Sequence, residues 1–168
     1  MPFVRIDGAR LYWRCDGADN RPALLLGNSI GTDHSLWDPV LADLMRAFRV
    51  IRFDMRGHGA SEAPAGEYSL ERLAQDVLAI ADAAGAQRFH YAGISLGGMI
   101  GMWLGAHAPE RIDRLVLAFA PGHAAKASRL EAALRERNRL LSDPRRPFGV
   151  REPGHAHAAQ EARRAGLP

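Results

Sequence analysis

Cysteine is nearly absent: Cys15 is the single one in 168 residues. An internal disulfide is therefore excluded, and the count suits a reducing compartment. No apolar run approaches the roughly 20 residues needed to cross a bilayer. Met1–Asp7 lacks the basic-then-apolar pattern of a secretory signal. Together these absences lead to the expectation of a cytoplasmic protein with no membrane partner. No strand pattern follows Phe119, and branched aliphatics almost vanish beyond Ser142, where Arg, Pro, Gly, Ala and His dominate. Such a segment has too little to bury to offset the entropy of ordering it. Ser142–Pro168 is therefore expected not to pack as a domain.

The net charge of +3 is unevenly placed. Residues 1–120 hold 12 arginines against 14 acids, a net of −2. Residues 121–168 hold 10 basic against 5 acidic residues, a net of +5. A basic tail is one mark of nucleic-acid binding. Here acids interrupt it, and its single aromatic, Phe148, offers no stacking ladder. No nucleic-acid partner is expected.

What is present is a length suited to one domain with a real core. Phe3–Ile6 and Leu11–Arg14 flank Asp7-Gly8 and read as a hairpin. Ala23–Leu26 is a continuous apolar run, the mark of a strand buried on both faces. Ser35–Phe48 reads as a helix, with Leu36, Trp37, Val40, Leu41 and Leu44 near one face and Pro39 early in it. Arg49–Phe53 is the next strand. Ser69 is a good N-cap with Glu71 in the first turn, and Leu70, Leu73, Ala74, Val77, Leu78 and Ala81 then follow helical spacing until Gly85 stops the run. Arg88–Ala92 reads as a strand, Leu96–His107 as a helix, and Leu115–Phe119 as a strand. Ala127–Leu141 has the spacing of a further helix. Residues 1–120 are thus read as an α/β core and residues 121–168 as a basic tail, helical in part.

From Ala23 to Phe119 strands and helices alternate, which predicts an α/β fold with a mostly parallel sheet and helices on both faces. Ligands in such sheets bind beyond the carboxyl ends of the strands. Three loops belong to that edge: Gly27–Asp33, Asp54–Ser61 and Gly93–Gly97. Asn28, Ser29, Ile30 and Ser95 are expected to converge there.

The third loop carries the chemistry. Gly93-Ile94-Ser95-Leu96-Gly97 has the G-x-S-x-G spacing of a serine held on a strained strand-to-helix turn. The glycines belong where backbones approach too closely for a Cβ. The N–H of Leu96, at the helix start, would point where an oxyanion forms. Ser95 needs a base, usually a histidine oriented by a carboxylate. After Ser95 come His107, His123, His155 and His157, with Asp113 and Asp143 among the carboxylates. None lies in a recognisable strand-end loop; His123, just past the last strand, is the one to consider. His34 and His58 read as residues that structure their loops.

Those motifs resemble the α/β-hydrolase superfamily. Within it, Asn28-Ser29-Ile30-Gly31-Thr32-Asp33 leading to Trp37, Asp54-Met55-Arg56-Gly57-His58-Gly59-Ala60-Ser61, and Ile94–Gly101 are most similar to the 3-oxoadipate enol-lactonases of the β-ketoadipate pathway. Tyr68–Glu71 and Pro109–Leu117 add to the likeness, which runs from about Phe3 to Phe119. It implies Ser95 as nucleophile, the backbone N–H groups of Ile30 and Leu96 as oxyanion hole, and Asn28, Ser29 and Trp37 at a small lactone or ester substrate. No metal or organic cofactor is implied. In that family the catalytic acid and histidine follow a helical lid and later strands, which this tail does not match. Its composition suggests a gene fragment or a shifted reading frame. Three readings stand: an enol-lactonase-like hydrolase or its amino-terminal part, an inactive half-domain that binds a ligand or partner, and a general carboxylesterase. A histidine base near Ser95 separates the first two.

Overall fold

The computed structural model describes residues 3–118. The proposed helix Ala127–Leu141, the segment Ser142–Pro168, His123 and the domain boundary at residue 120 lie outside the described residues.

Six strands form one sheet in the order β1-β2-β4-β3-β5-β6: β1 Phe3–Ile6, β2 Ala9–Asp16, β3 Ala23–Gly27, β4 Arg49–Phe53, β5 Phe89–Ile94 and β6 Ile112–Ala118. The hairpin forms at Asp7-Gly8, where both residues have positive φ, 42° and 75°, as a two-residue turn matched to strand twist demands. Strand β2 is longer than its apolar core suggested because it has two neighbours. Ala9–Tyr12 pair with β1, and Trp13–Asp16 pair antiparallel with β4. Strands β4, β3, β5 and β6 are mutually parallel.

The helices are α1 Asp38–Leu44, α2 Leu70–Ala83 and α3 Leu96–His107. The run Ser35–Phe48 is not one helix. A 3₁₀ turn, His34–Trp37, comes first, with the Asp33 side chain accepting the Ser35 N–H. α1 then starts with Pro39 in its first turn, where no N–H is needed, and ends at Leu44. The break turns Leu36 and Val40 outward, while Trp37, Leu41 and Leu44 still pack on the sheet. α2 starts as expected, with Ser69 Oγ accepting the Arg72 N–H at 3.1 Å. Strand β6 begins three residues before the apolar run, because Ile112 already pairs with Phe89.

Alternation along the strands sends side chains to two cores. Leu25, Ile51, Phe53, Phe89 and Tyr91 face α2 and α3, joining Leu73, Val77, Ile80, Ile100 and Leu104 in the larger one. Leu24, Leu26 and Val50 face α1 in the smaller one. Val116, paired with Ala92 on the α1 side, is 62% exposed. The chain leaves β3 for β4 through α1, then crosses back through α2 to β5 on the other side of β3. That reversal opens a crevice at the carboxyl ends of β3 and β5, where Gly27 and Gly93 are paired.

Candidate active site

Ser95 stands between β5 and α3 with φ 54° and ψ −112°, a backbone region that a residue with a side chain enters only under constraint. The constraint is visible on both sides of it. Its N–H donates to the Ala118 carbonyl at 2.9 Å, and its carbonyl accepts the Met99 N–H at 3.1 Å. A Cβ on Gly93 would lie 2.3 Å from the Gly97 carbonyl oxygen, and one on Gly97 would lie 2.3 Å from that of Gly27. Both glycines are there for space. Tyr91, buried under the turn, donates its hydroxyl to the Gly97 carbonyl at 2.9 Å, and burial pushes its phenol pKa well up.

The loop after β3 lies against this turn. The Gly97 N–H donates to the Asn28 carbonyl at 2.9 Å, so the loop and the first turn of α3 are joined directly. Asn28, Ser29, Ile30 and Ser95 therefore meet at one sheet edge. Among the described residues, the N–H groups of Ile30 and Leu96 have no hydrogen-bond partner, and neither does the Ser95 hydroxyl. Leu96 is the first residue of α3, so its free N–H sits at the positive end of the helix.

The Asn28 side chain is wholly buried and bonded at both its nitrogen and its oxygen. Its Nδ2 donates to the Phe53 carbonyl at 2.7 Å, and its Oδ1 accepts the Trp37 indole N–H at 2.8 Å. The Trp37 ring packs on Leu24, Leu26 and Val50. Ser29 is half-buried, and its carbonyl accepts the Thr32 N–H and hydroxyl at 3.3 and 2.8 Å, closing a turn.

The loop after β4 ties the site from the other side. Asp54 is buried, and one of its oxygens accepts both the N–H and the ring Nδ1 of His34 at 2.8 and 2.9 Å. Its other oxygen accepts the Ala60 N–H at 2.9 Å. His58 is also buried, with Nε2 accepting the Gly31 N–H at 3.0 Å. Both histidines thus structure their loops. Arg56 makes a buried two-point pair with Asp76 of α2, both contacts 2.5 Å. Arg52, also buried, pairs with Asp16 at 2.8 Å and Asp38 at 2.5 Å. Neither arginine pair stood out in the sequence; for Arg52 the available signal was a charge between the apolar Ile51 and Phe53 of a strand.

Ligand atoms of Asp33, His34 and Asp54 lie within 4.8 Å of one another. They already serve each other and Ser35: Asp33 Oδ1 accepts the Ser35 N–H at 2.8 Å and its hydroxyl at 2.5 Å. The Ser35 hydroxyl and N–H hold the Asp33 carboxyl below its ordinary range, against partial burial. His107, twelve residues along α3 from Ser95, is about 18 Å away by helical rise. Its Nδ1 lies 3.0 Å from the Trp103 carbonyl and its ring stacks on Trp103. It is no base for Ser95.

A strained serine between a parallel strand and a helix, beside the loop of the neighbouring strand, is an arrangement of the α/β-hydrolase class, and the comparisons agree. Residues 22–148 match the model of the alpha/beta hydrolase fold family, and the chain belongs to that family. It is 39% identical over 111 residues to 3-oxoadipate enol-lactonase 1 of Acinetobacter baylyi, covering 66% of this chain and 41% of that protein. The enol-lactonase crystal structure from Burkholderia xenovorans LB400 is 44% identical, with a TM-score of 0.67 over 69% of this chain and 45% of that one. A hydrolase structure from Pseudomonas aeruginosa PA01 is 42% identical, with a TM-score of 0.75 over 94% of this chain and 56% of that one. The chain thus spans less than half the length of the curated relative. No helix among the described residues is long and apolar enough to cross a membrane.

Proposed function

We propose that this chain carries the nucleophile and oxyanion half of a serine-dependent ester or lactone hydrolase. A 3-oxoadipate enol-lactone is the first substrate to test. The observation carrying this reading is the elbow itself: Ser95 at φ 54° and ψ −112°, heading α3 and joined through Gly97 to the Asn28–Gly31 loop. Names of relatives at about 40% identity support the choice of substrate. The single cysteine suits the cytoplasmic location such an enzyme would have.

In this reading Ser95 Oγ attacks the lactone carbonyl and gives its proton to a base. The N–H groups of Ile30 and Leu96 receive the oxyanion. Collapse breaks the ring C–O bond, the leaving oxygen takes a proton, and the acyl group stays on Ser95. Water then releases it as 3-oxoadipate, regenerating the serine. Asn28 serves by positioning Trp37 and the loop. Among the described residues no histidine bonds to Ser95, and His123 is the first candidate for the base.

The test is lactone opening, and aryl ester hydrolysis, by the purified chain beside Ser95→Ala. Slow turnover that the substitution abolishes is expected, and equal rates in both would overturn the reading. Losing the base of such a site costs on the order of 10⁶ in turnover, so a chain without one will be slow. The unpartnered Ser95 favours one alternative, a half-domain that binds the lactone without opening it. Saturable binding with no serine-dependent turnover would establish that instead.

A further inference from the structure

We propose that His58 is a positioning residue for the oxyanion site: by accepting the Gly31 N–H it fixes the loop that presents Ile30. This rests on the hydrolase reading for its use, and on geometry for its existence. His58 is 6% exposed. Its Nδ1 lies 3.2 Å from the Arg56 carbonyl, which only accepts, so Nδ1 carries the proton. Nε2 is then a lone pair, as the 3.0 Å contact with the Gly31 N–H requires. The two contacts set its tautomer from both ends.

The restraint has a rigid origin. The His58 N–H donates to the Met55 carbonyl at 2.8 Å, closing a tight turn. Arg56, whose carbonyl orients the ring, is locked to Asp76 on α2 by the two-point buried pair. The far end of the restraint is the most adaptable point of the loop. Gly31 has φ 79° and no side chain to hold it. Its N–H belongs to the planar peptide that begins at the Ile30 carbonyl, so fixing it holds the plane adjoining the one that carries the Ile30 N–H. Asn28 and His34 anchor the two ends of the loop. The His58 contact anchors its tip, next to the proposed donor. A donor misplaced by about 1 Å can cost on the order of 100-fold in rate.

The experiment uses the full chain, His58→Phe and His58→Gln, the latter keeping an acceptor oxygen. The first arm is NMR: amide exchange of Gly31 and the ¹⁵N shifts of the His58 ring. We expect a proton on Nδ1, Gly31 exchange at least about tenfold faster in His58→Phe, and recovery to within about threefold in His58→Gln. Unchanged exchange in β3 and β5 shows that the fold is intact. The second arm is aryl ester hydrolysis: kcat should fall about 10- to 100-fold in His58→Phe with KM within about threefold, and His58→Gln should regain most of it. A proton on Nε2, or Gly31 exchange unaffected by His58→Phe, overturns the proposal. So does fast Gly31 exchange with unaltered kcat in an active chain. A wild-type chain without turnover sinks the hydrolase reading, and the exchange arm alone then decides the restraint.

Discussion

The turn Gly93–Gly97 keeps its shape largely by backbone packed on backbone, whereas the facing loop Gly27–Asp33 is held to the end of β4 and the loop after it by side-chain hydrogen bonds. In the first, the important atoms are ones that are missing: two Cβ positions whose filling would drive them to 2.3 Å from carbonyl oxygens. In the second, Asn28, His58 and Asp54 each supply a specific polar contact. A site whose nucleophile must sit in a strained conformation needs the stiffer support on that side. The donor side needs aim, which hydrogen bonds supply because they are directional.

Substitutions can break that contrast. The largest loss is expected from Gly97→Ala. Its new methyl meets main chain that cannot step aside, so urea unfolding followed by tryptophan fluorescence should show a cost of about 3 kcal/mol or more. A near-neutral result would mean that the turn is not held by close backbone approach. Asn28→Ala should cost about 2–3 kcal/mol, because it leaves the Phe53 carbonyl and the Trp37 indole N–H unpaired in a buried place. A loss below about 0.5 kcal/mol would show that water replaces the amide easily there.

Ser95→Gly should move stability the other way. Glycine tolerates positive φ, so this variant should be about 1 kcal/mol more stable than Ser95→Ala while equally inactive. Equal midpoints for the two would argue that the turn stores no strain. The smallest effect belongs to Asp33. Its folded pKa is lowered by Ser35, so its contribution is fully present above the ordinary carboxylate range. As pH falls, the unfolded chain takes up the proton first, and the contribution is lost down through the folded value. Asp33→Asn should flatten this limb of the stability curve by under about 1 kcal/mol, the group being half-exposed. A limb as steep in the variant as in the wild type would assign it to another carboxyl group.

Much of this was legible one residue at a time. Ser69, Gly85 and Asp7-Gly8 act locally, and the element boundaries they set agree with the structure to within a residue or two. The helix expected over Ser35–Phe48 failed for a reason that is not local. Asp38, at the first turn of α1, is drawn to Arg52 of β4, and the preceding turn is capped separately by Asp33. The bond between Asn28 and Trp37, both expected at the substrate, is likewise not local: the fold joins the indole N–H to the amide oxygen.

By itself the sequence determined the alternation of strands and helices, the position of the serine turn and the need for glycine on either side of it. These follow from periodicity and from steric limits that act over a few residues. Only the tertiary structure decided that β3 and β5 are neighbours, that Asn28 faces inward, and that His58 reaches Gly31. Those contacts join residues 25 or more positions apart. Such pairings depend on which way the chain crosses the sheet, and no local preference encodes that.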